Sequence, residues 1–125
     1  MPVHGRLLHA ATGTVLLDRV RWCEEFGCKL RGLMFRRTLH PDEGLIMAER
    51  RASRSGVAIH MLFMWFPIAV IWLDDSFKVI DQVYARPWRL AYLPSRPARY
   101  TLEARISLLD QVSIGDVLRF EPNES

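Results

Sequence analysis

The sequence predicts a mainly β fold with a minor α+β character: a compact single-domain sandwich or barrel-like sheet carrying one or two short helices. Three observations predict it. Apolar and polar residues alternate in short runs, as in FKVIDQVYA, ARYTLEA and GRLLHAA, at the two-residue period of a half-buried strand. Turn-forming residues punctuate those runs at Thr12-Gly13, His40 to Gly44, Asp74-Asp75-Ser76 and Gly115-Asp116. The longest apolar stretch, GVAIHMLFMWFPIAVIWLDD from Gly56 to Asp75, is dominated by Val, Ile, Phe, Met and Trp and is interrupted by Pro67.

From Val57 to Leu73 that stretch has 17 residues, which only reaches the lower edge of a bilayer-spanning helix. Two strands, VAIHMLFMW and IAVIWLD, bent at Phe66-Pro67, fit better, with apolar side chains on both faces. Strands covered on both sides lose the polar alternation, so a soluble core strand can resemble a membrane segment. No membrane span is expected.

The other elements follow in order. GRLLHAA and TVLLDRVRW form a hairpin, and the spacing of Val15, Leu17 and Val20 slips by one residue, as at a bulge. Glu24 and Glu25 favour a helix start, and Phe26, Leu30, Leu33 and Met34 recur at three and four, so a short helix is predicted. Gly27 and Gly32 weaken it by about 1 kcal/mol each. LIMA reads as a short strand and ERRASRSG as a basic loop. FKVIDQVYA pairs with IAVIWLD. RPWRLAYLPSRPAR, with three prolines, is a long surface loop. In ARYTLEA, Tyr100 and Leu102 are read as inward, Thr101 and Glu103 as outward. ISLLDQV supplies a helical turn or two and VLRFE the last strand. The ordered core is expected over residues 3–121, with a polar tail at 122–125.

With 125 residues, 50% of them hydrophobic and 25% charged, the chain can bury a real core without a metal or a disulfide. MPVHGRLLHAATG lacks the apolar run of a signal peptide, so a cytoplasmic location is expected. Cys23 and Cys28 have neither zinc-pair nor redox C-x-x-C spacing, and are read as reduced, partly buried thiols. With His4, His9 and His40 scattered, no metal and no cofactor are expected.

The segments RGLMFRRTL (Arg31 to Leu39), GLIM (Gly44 to Met47), AIHMLFMWFPIAVIWLD (Ala58 to Asp74), ARYTLE (Ala98 to Glu103) and IGDVL (Ile114 to Leu118) together resemble the small bacterial and archaeal family called domain of unknown function 192. The likeness runs through nearly the whole chain in the same order. It implies one compact, mostly β domain with a short helix bearing R-G-L-M-F-R, and it implies no activity. Met61, Trp65, Ala69 and Trp72 stand where the family typically has threonine, arginine, aspartate and phenylalanine. If the family's arginine and aspartate served catalysis, this chain could not perform it. If they formed an ion pair, apolar replacement is close to neutral, because buried pairs lose much of their attraction to desolvation.

His60 is the one ionisable group inside the apolar run, and a buried imidazole needs partners for both ring nitrogens. A core histidine and a site histidine both satisfy that pattern. Arg31 and Arg36 lie five apart and point in different directions, with Glu103 as the natural partner for either of them or for His60. Ser53, Ser55, Ser76 and Ser95 lack a G-x-S-x-G elbow, and Cys28 beside Lys29 lacks a base, so no nucleophile stands out. The preferred reading is a monomeric or weakly dimeric β module that binds a small molecule or a protein, with His60, Arg31, Arg36 and Glu103 as polar contacts and Trp65, Trp88 and Tyr92 as aromatic ones. An enzyme would need His60 in an open cleft beside Arg31 or Glu103. Weak nucleic-acid binding would use Arg50, Arg51, Arg54, Arg86, Arg89, Arg96 and Arg99 interleaved with Trp88 and Tyr92.

Overall fold

Seven strands make one sheet: β1 (Val3–His9), β2 (Val15–Cys23), β3 (Glu43–Ser53), β4 (Ile68–Leu73), β5 (Val79–Ala85), β6 (Ala98–Ala104) and β7 (Leu118–Pro122). One helix, α1 (Phe26–Arg31), and a 3-10 turn at Ile106–Asp110 complete the regular structure among the described residues. The computed structural model describes residues 3–123, the side chains of Phe26, Leu30 and Arg31 excepted. The strands lie in the order β5-β4-β6-β3-β2-β1-β7, and every pairing is antiparallel except β2 with β3. The fold is mainly β, as predicted. The sheet curls without closing into a barrel: β5 and β7 remain its edges, and their first residues approach each other through the Lys78–Val117 bridge, the Val79 N–H donating to the Asp116 carbonyl at 2.8 Å and the Leu118 N–H donating to the Phe77 carbonyl at 3.0 Å.

Alternation along the central strands builds two cores on opposite faces of this sheet. Leu45, Met47, Val70 and Trp72 enter one, joined by Val57, Ile59, Met61 and Met64. Ile46, Ile71, Leu73 and Leu102 enter the other, against Leu7, Leu17, Val20 and Leu108. All six residues of β4 are buried, which explains its unbroken apolar sequence. The hairpin of β1 and β2 forms as read. Its register steps from Gly5–Val20 to Leu7–Leu17 and then to Leu8–Val15, so β2 carries the extra residues of the bulge.

Several expectations are corrected. VAIHMLFMW is not a strand: residues 57–67 run irregularly across the first core, with one isolated bridge between Ile59 and Tyr92. Burial did not require a ladder there, because the 86–92 loop satisfies the backbone instead. The Met61 N–H donates to the Arg89 carbonyl (2.8 Å) and the Trp88 N–H to the Met61 carbonyl (2.7 Å). Buried Trp72 Nε1 also donates to the Val57 carbonyl at 2.9 Å. ERRASRSG is not wholly a loop, since β3 continues to Ser53 with exposed Arg50 and Arg51 on a strand that pairs irregularly with β6 beyond Ala48. The helix is shorter than its periodicity suggested, because Gly32 takes φ 50°, ψ −123° and ends it. Thr101 and Glu103 are buried, not solvent-facing: β6 lies between β4 and β3, where both faces of the sheet are covered.

The cysteines also depart from expectation. Cys23, at the end of β2, and Cys28, in α1, form a disulfide with Cα atoms 6.1 Å apart, inside the range such a bond spans. The strand-to-helix turn brings them together, which spacing rules for metals and C-x-x-C motifs do not anticipate. The cysteine pattern therefore gives no support to a reducing compartment.

A closed loop this short constrains the unfolded chain, so the Cys23→Ser, Cys28→Ser variant is expected to be less stable by about 2 kcal/mol in urea melts. The intact unreduced protein should be lighter by two hydrogens than the reduced one. Labelling of both thiols by iodoacetamide without reductant would contradict the pairing.

Candidate functional site

The first core does not fill completely. Between Gly32 at the end of α1, the irregular 56–68 segment and strands β3 and β6 lies a cleft of about 340 Å³. Its apolar walls include Met34, Met47, Met61 and Met64, flexible side chains that adapt to irregular shapes. Its polar groups are few: Glu103 and Thr101 from β6, His60 from the irregular segment, and Lys29 with Glu49.

Strand pairing puts Glu103 in place. It is paired with Leu45 of β3 on one side and Val70 of β4 on the other, so its side chain is held over the middle of the sheet. It is only 4% exposed, and among the described residues no group donates a hydrogen bond to its carboxyl. Burial pushes that carboxyl up to about 7, because removal from water disfavours the charged form. Gly32 passes close by: a Cβ there would sit 3.5 Å from Glu103 Oε1, and its backbone conformation is one that glycine adopts most readily. Thr101 shares this face and is buried. His60 is half-buried, with Nδ1 shielded from solvent and without a partner among the described residues. Lys29 Nζ is held by Glu49 Oε2 at 2.8 Å.

The residues singled out from sequence are thus divided. His60 and Glu103 line one cleft. The Arg31 side chain lies outside the described residues. Arg36 does not pair with Glu103: it forms a two-pronged ion pair with Glu43, Nη1 to Oε2 at 2.7 Å and Nη2 to Oε1 at 2.9 Å. That hydrogen bonding holds the Glu43 carboxyl below the usual range. Arg36 borders a different depression, next to Arg19 and Arg21. Trp65 and Trp88 are exposed on the outer surface, whereas Tyr92 packs against the first core and its hydroxyl accepts from the Arg86 N–H at 2.9 Å. Thr101, the Lys29–Glu49 pair and the methionines were not anticipated. The wholly apolar β4 carried the signal for Thr101, since a sheet covered on both faces must bury the polar residues of its middle strands.

The cleft is thus mostly apolar, with a few convergent polar groups, one of them a carboxyl moved toward neutrality. Comparison with known proteins agrees with the fold. The sequence profile of DUF192, described as Uncharacterized ACR, matches residues 8–120. A UPF0127 protein of Thermococcus sibiricus is 35% identical over 120 residues, covering 94% of this chain and 76% of its own. One from Pyrococcus furiosus is 33% identical over 116 residues, 91% and 97% of the two chains. Among solved structures, a Sinorhizobium meliloti protein described as a candidate transcription regulator aligns with a TM-score of 0.81 at 22% identity, over 96% of this chain and 94% of that one. A protein of unknown function from Novosphingobium aromaticivorans aligns with a TM-score of 0.77 at 20% identity, over 95% and 84%. At those identities the structural likeness speaks to the fold alone.

The buried carboxyl carries a pH signature. Glu103 binds its proton more tightly folded, to about 7, than unfolded, near 4.5, so the native state holds the extra proton between those values. Stability should therefore fall as pH rises from about 4.5 to about 7, by roughly 3 kcal/mol at most, and then level off. Glu103→Gln should remove that decline and be the more stable chain at pH 8, as read from urea melts across the range.

Proposed function

Because this chain belongs to DUF192, a family of uncharacterised proteins, we propose from its cleft that it is a binding module for a small apolar molecule bearing a cationic or hydrogen-bond-donating nitrogen. The observation that carries this reading is the Glu103 carboxyl, buried on the middle strand of the sheet with no donor among the described residues. A buried carboxylate without a partner is costly, and a ligand ammonium or amide N–H would supply a donor that the described residues do not. His60 Nδ1 offers a second polar contact, and the methionine walls take the apolar body.

A second reading has its own observation. A carboxyl with a pKa near 7 in the same cleft as an imidazole is suited to general acid–base chemistry, with Glu103 exchanging a proton with the bound molecule. Recovery of a co-purifying ligand altered by the wild-type chain and unaltered from Glu103→Gln would favour it over binding alone.

The binding reading is tested with octylammonium and octanoate as probes of matched apolar length. Octylammonium should raise the melting temperature in a concentration-dependent way, more strongly as pH rises through about 7 and Glu103 ionises, and octanoate should not. Glu103→Gln should abolish the difference between the two. Equal stabilisation by both probes, or an unchanged response in the variant, would refute a carboxylate-directed site.

A further inference from the structure

Outside the cleft, on the far side of the same irregular segment, the chain displays a row of aromatic rings. Phe35 stacks on Phe63 (4.9 Å between centroids), Phe63 meets Trp88 edge-on (5.4 Å), and Trp88 meets Trp65 edge-on (5.4 Å). All four are exposed, and Leu90, at 76%, and Leu93 extend the apolar surface along the 86–97 loop. Scattered apolar residues on a surface need no explanation, but a contiguous patch does.

The backbone holds these rings outward. Phe35, Phe63 and Trp88 have φ of 67°, 61° and 68°, a left-handed conformation that bulky residues rarely adopt. At Phe63 it separates an outward ring from Met61 and Met64, both buried in the first core. The Phe35 N–H donates to the Phe63 carbonyl at 3.0 Å and ties two of the contributing segments together. The same conformation occurs at Phe77, in a turn outside the patch, so what distinguishes the patch is that three such positions bring exposed rings into contact.

Charge identifies what the patch meets. Residues 29–41, 50–73 and 82–102, which contribute every ring and both leucines, contain eleven of the seventeen Lys and Arg residues and none of the fourteen Asp and Glu residues, although Lys29, Arg36 and Arg99 are ion-paired with Glu49, Glu43 and Asp75 outside them. Arg37, Arg86 and Arg89 are exposed beside the rings in sequence, and none of them forms an ion pair among the described residues. The remainder of the chain is strongly acidic by the same count. We propose that this face docks on an anionic lipid bilayer, the rings and Leu90 entering the interface and the arginines meeting lipid phosphates. Arginine beside Trp, Phe and Leu is the composition of an interfacial anchor, in which buried apolar area and attraction to anionic lipid act together. Single-stranded nucleic acid fits less well. The rings are packed against one another, and Leu90, the most exposed member of the patch, has no face for a base to stack on. This inference does not rest on the cleft reading.

Vesicle flotation of the full chain tests it, with vesicles of pure phosphatidylcholine and of phosphatidylcholine mixed with phosphatidylglycerol. The protein should float with the anionic vesicles, with tryptophan emission moving to shorter wavelength and binding weakening as salt is added. Trp65→Ser with Leu90→Ser should lower the partition coefficient about tenfold or more. Ile114→Ser, at an exposed apolar residue outside those segments, should leave it unchanged. Both variants alter exposed side chains, and unchanged melting temperatures will show that they fold. No flotation, flotation that survives Trp65→Ser with Leu90→Ser, or tighter retention on oligothymidylate than on vesicles would each overturn the proposal. A dimer in sedimentation velocity that Leu90→Ser dissociates would reassign the face to a second copy and overturn it as well.

Discussion

The structure depends on one constraint: its middle strands are covered on both faces. β6 sits between β4 and β3 and sends Leu102 and Ala104 into one core, so its alternate residues, Thr101 and Glu103, must enter the other. A strand at the edge or with one wet face would have left both in water. Their burial is a consequence of topology, and the chemistry of the cleft follows from it. Lys29, the lysine that lines the cleft, is already engaged by Glu49.

The cover over that first core is irregular chain. An extended strand there would have alternated strictly and presented one smooth apolar face. The 57–67 segment instead exchanges backbone hydrogen bonds with the 86–92 loop and is pinned from below by Trp72. Freed from a ladder, it can send Met61 and Met64 inward and Phe63 and Trp65 outward with no fixed period. The same few residues therefore form a wall of the cleft and the floor of the aromatic patch.

Much of the fold was legible in the sequence because period-2 alternation and turn residues report on strands directly. The β1–β2 hairpin, its bulge, the β4–β5 hairpin and β7 all stand where those signals put them. What failed was legible only in three dimensions. Apolar composition in VAIHMLFMW announced burial and was read as pairing, yet burial and pairing are separate requirements once another loop can satisfy the backbone. The polarity of Thr101 and Glu103 announced solvent, which holds only for sheets with an open face. The disulfide joins residues whose approach is set by a turn between strand and helix, and no spacing rule encodes it. Of the site, His60 and Glu103 could be named from their type and setting. That Arg36 would choose Glu43 depended on the chain reversal at 37–42, which residue identity alone does not give.

The family's typical polar residues at positions 61, 65 and 69 sharpen this picture. Met61 and Ala69 are fully buried here, Met61 in the first core and Ala69 in the second, on opposite faces of the sheet, while Trp65 lies on the outer surface against Trp88. Three departures in one short motif thus act in three separate places. Met61 makes the cleft wall apolar, Ala69 fills the second core, and Trp65 adds a ring to the outer patch. Trp65, 58% exposed, sets its ring on the outer face edge-on to Trp88.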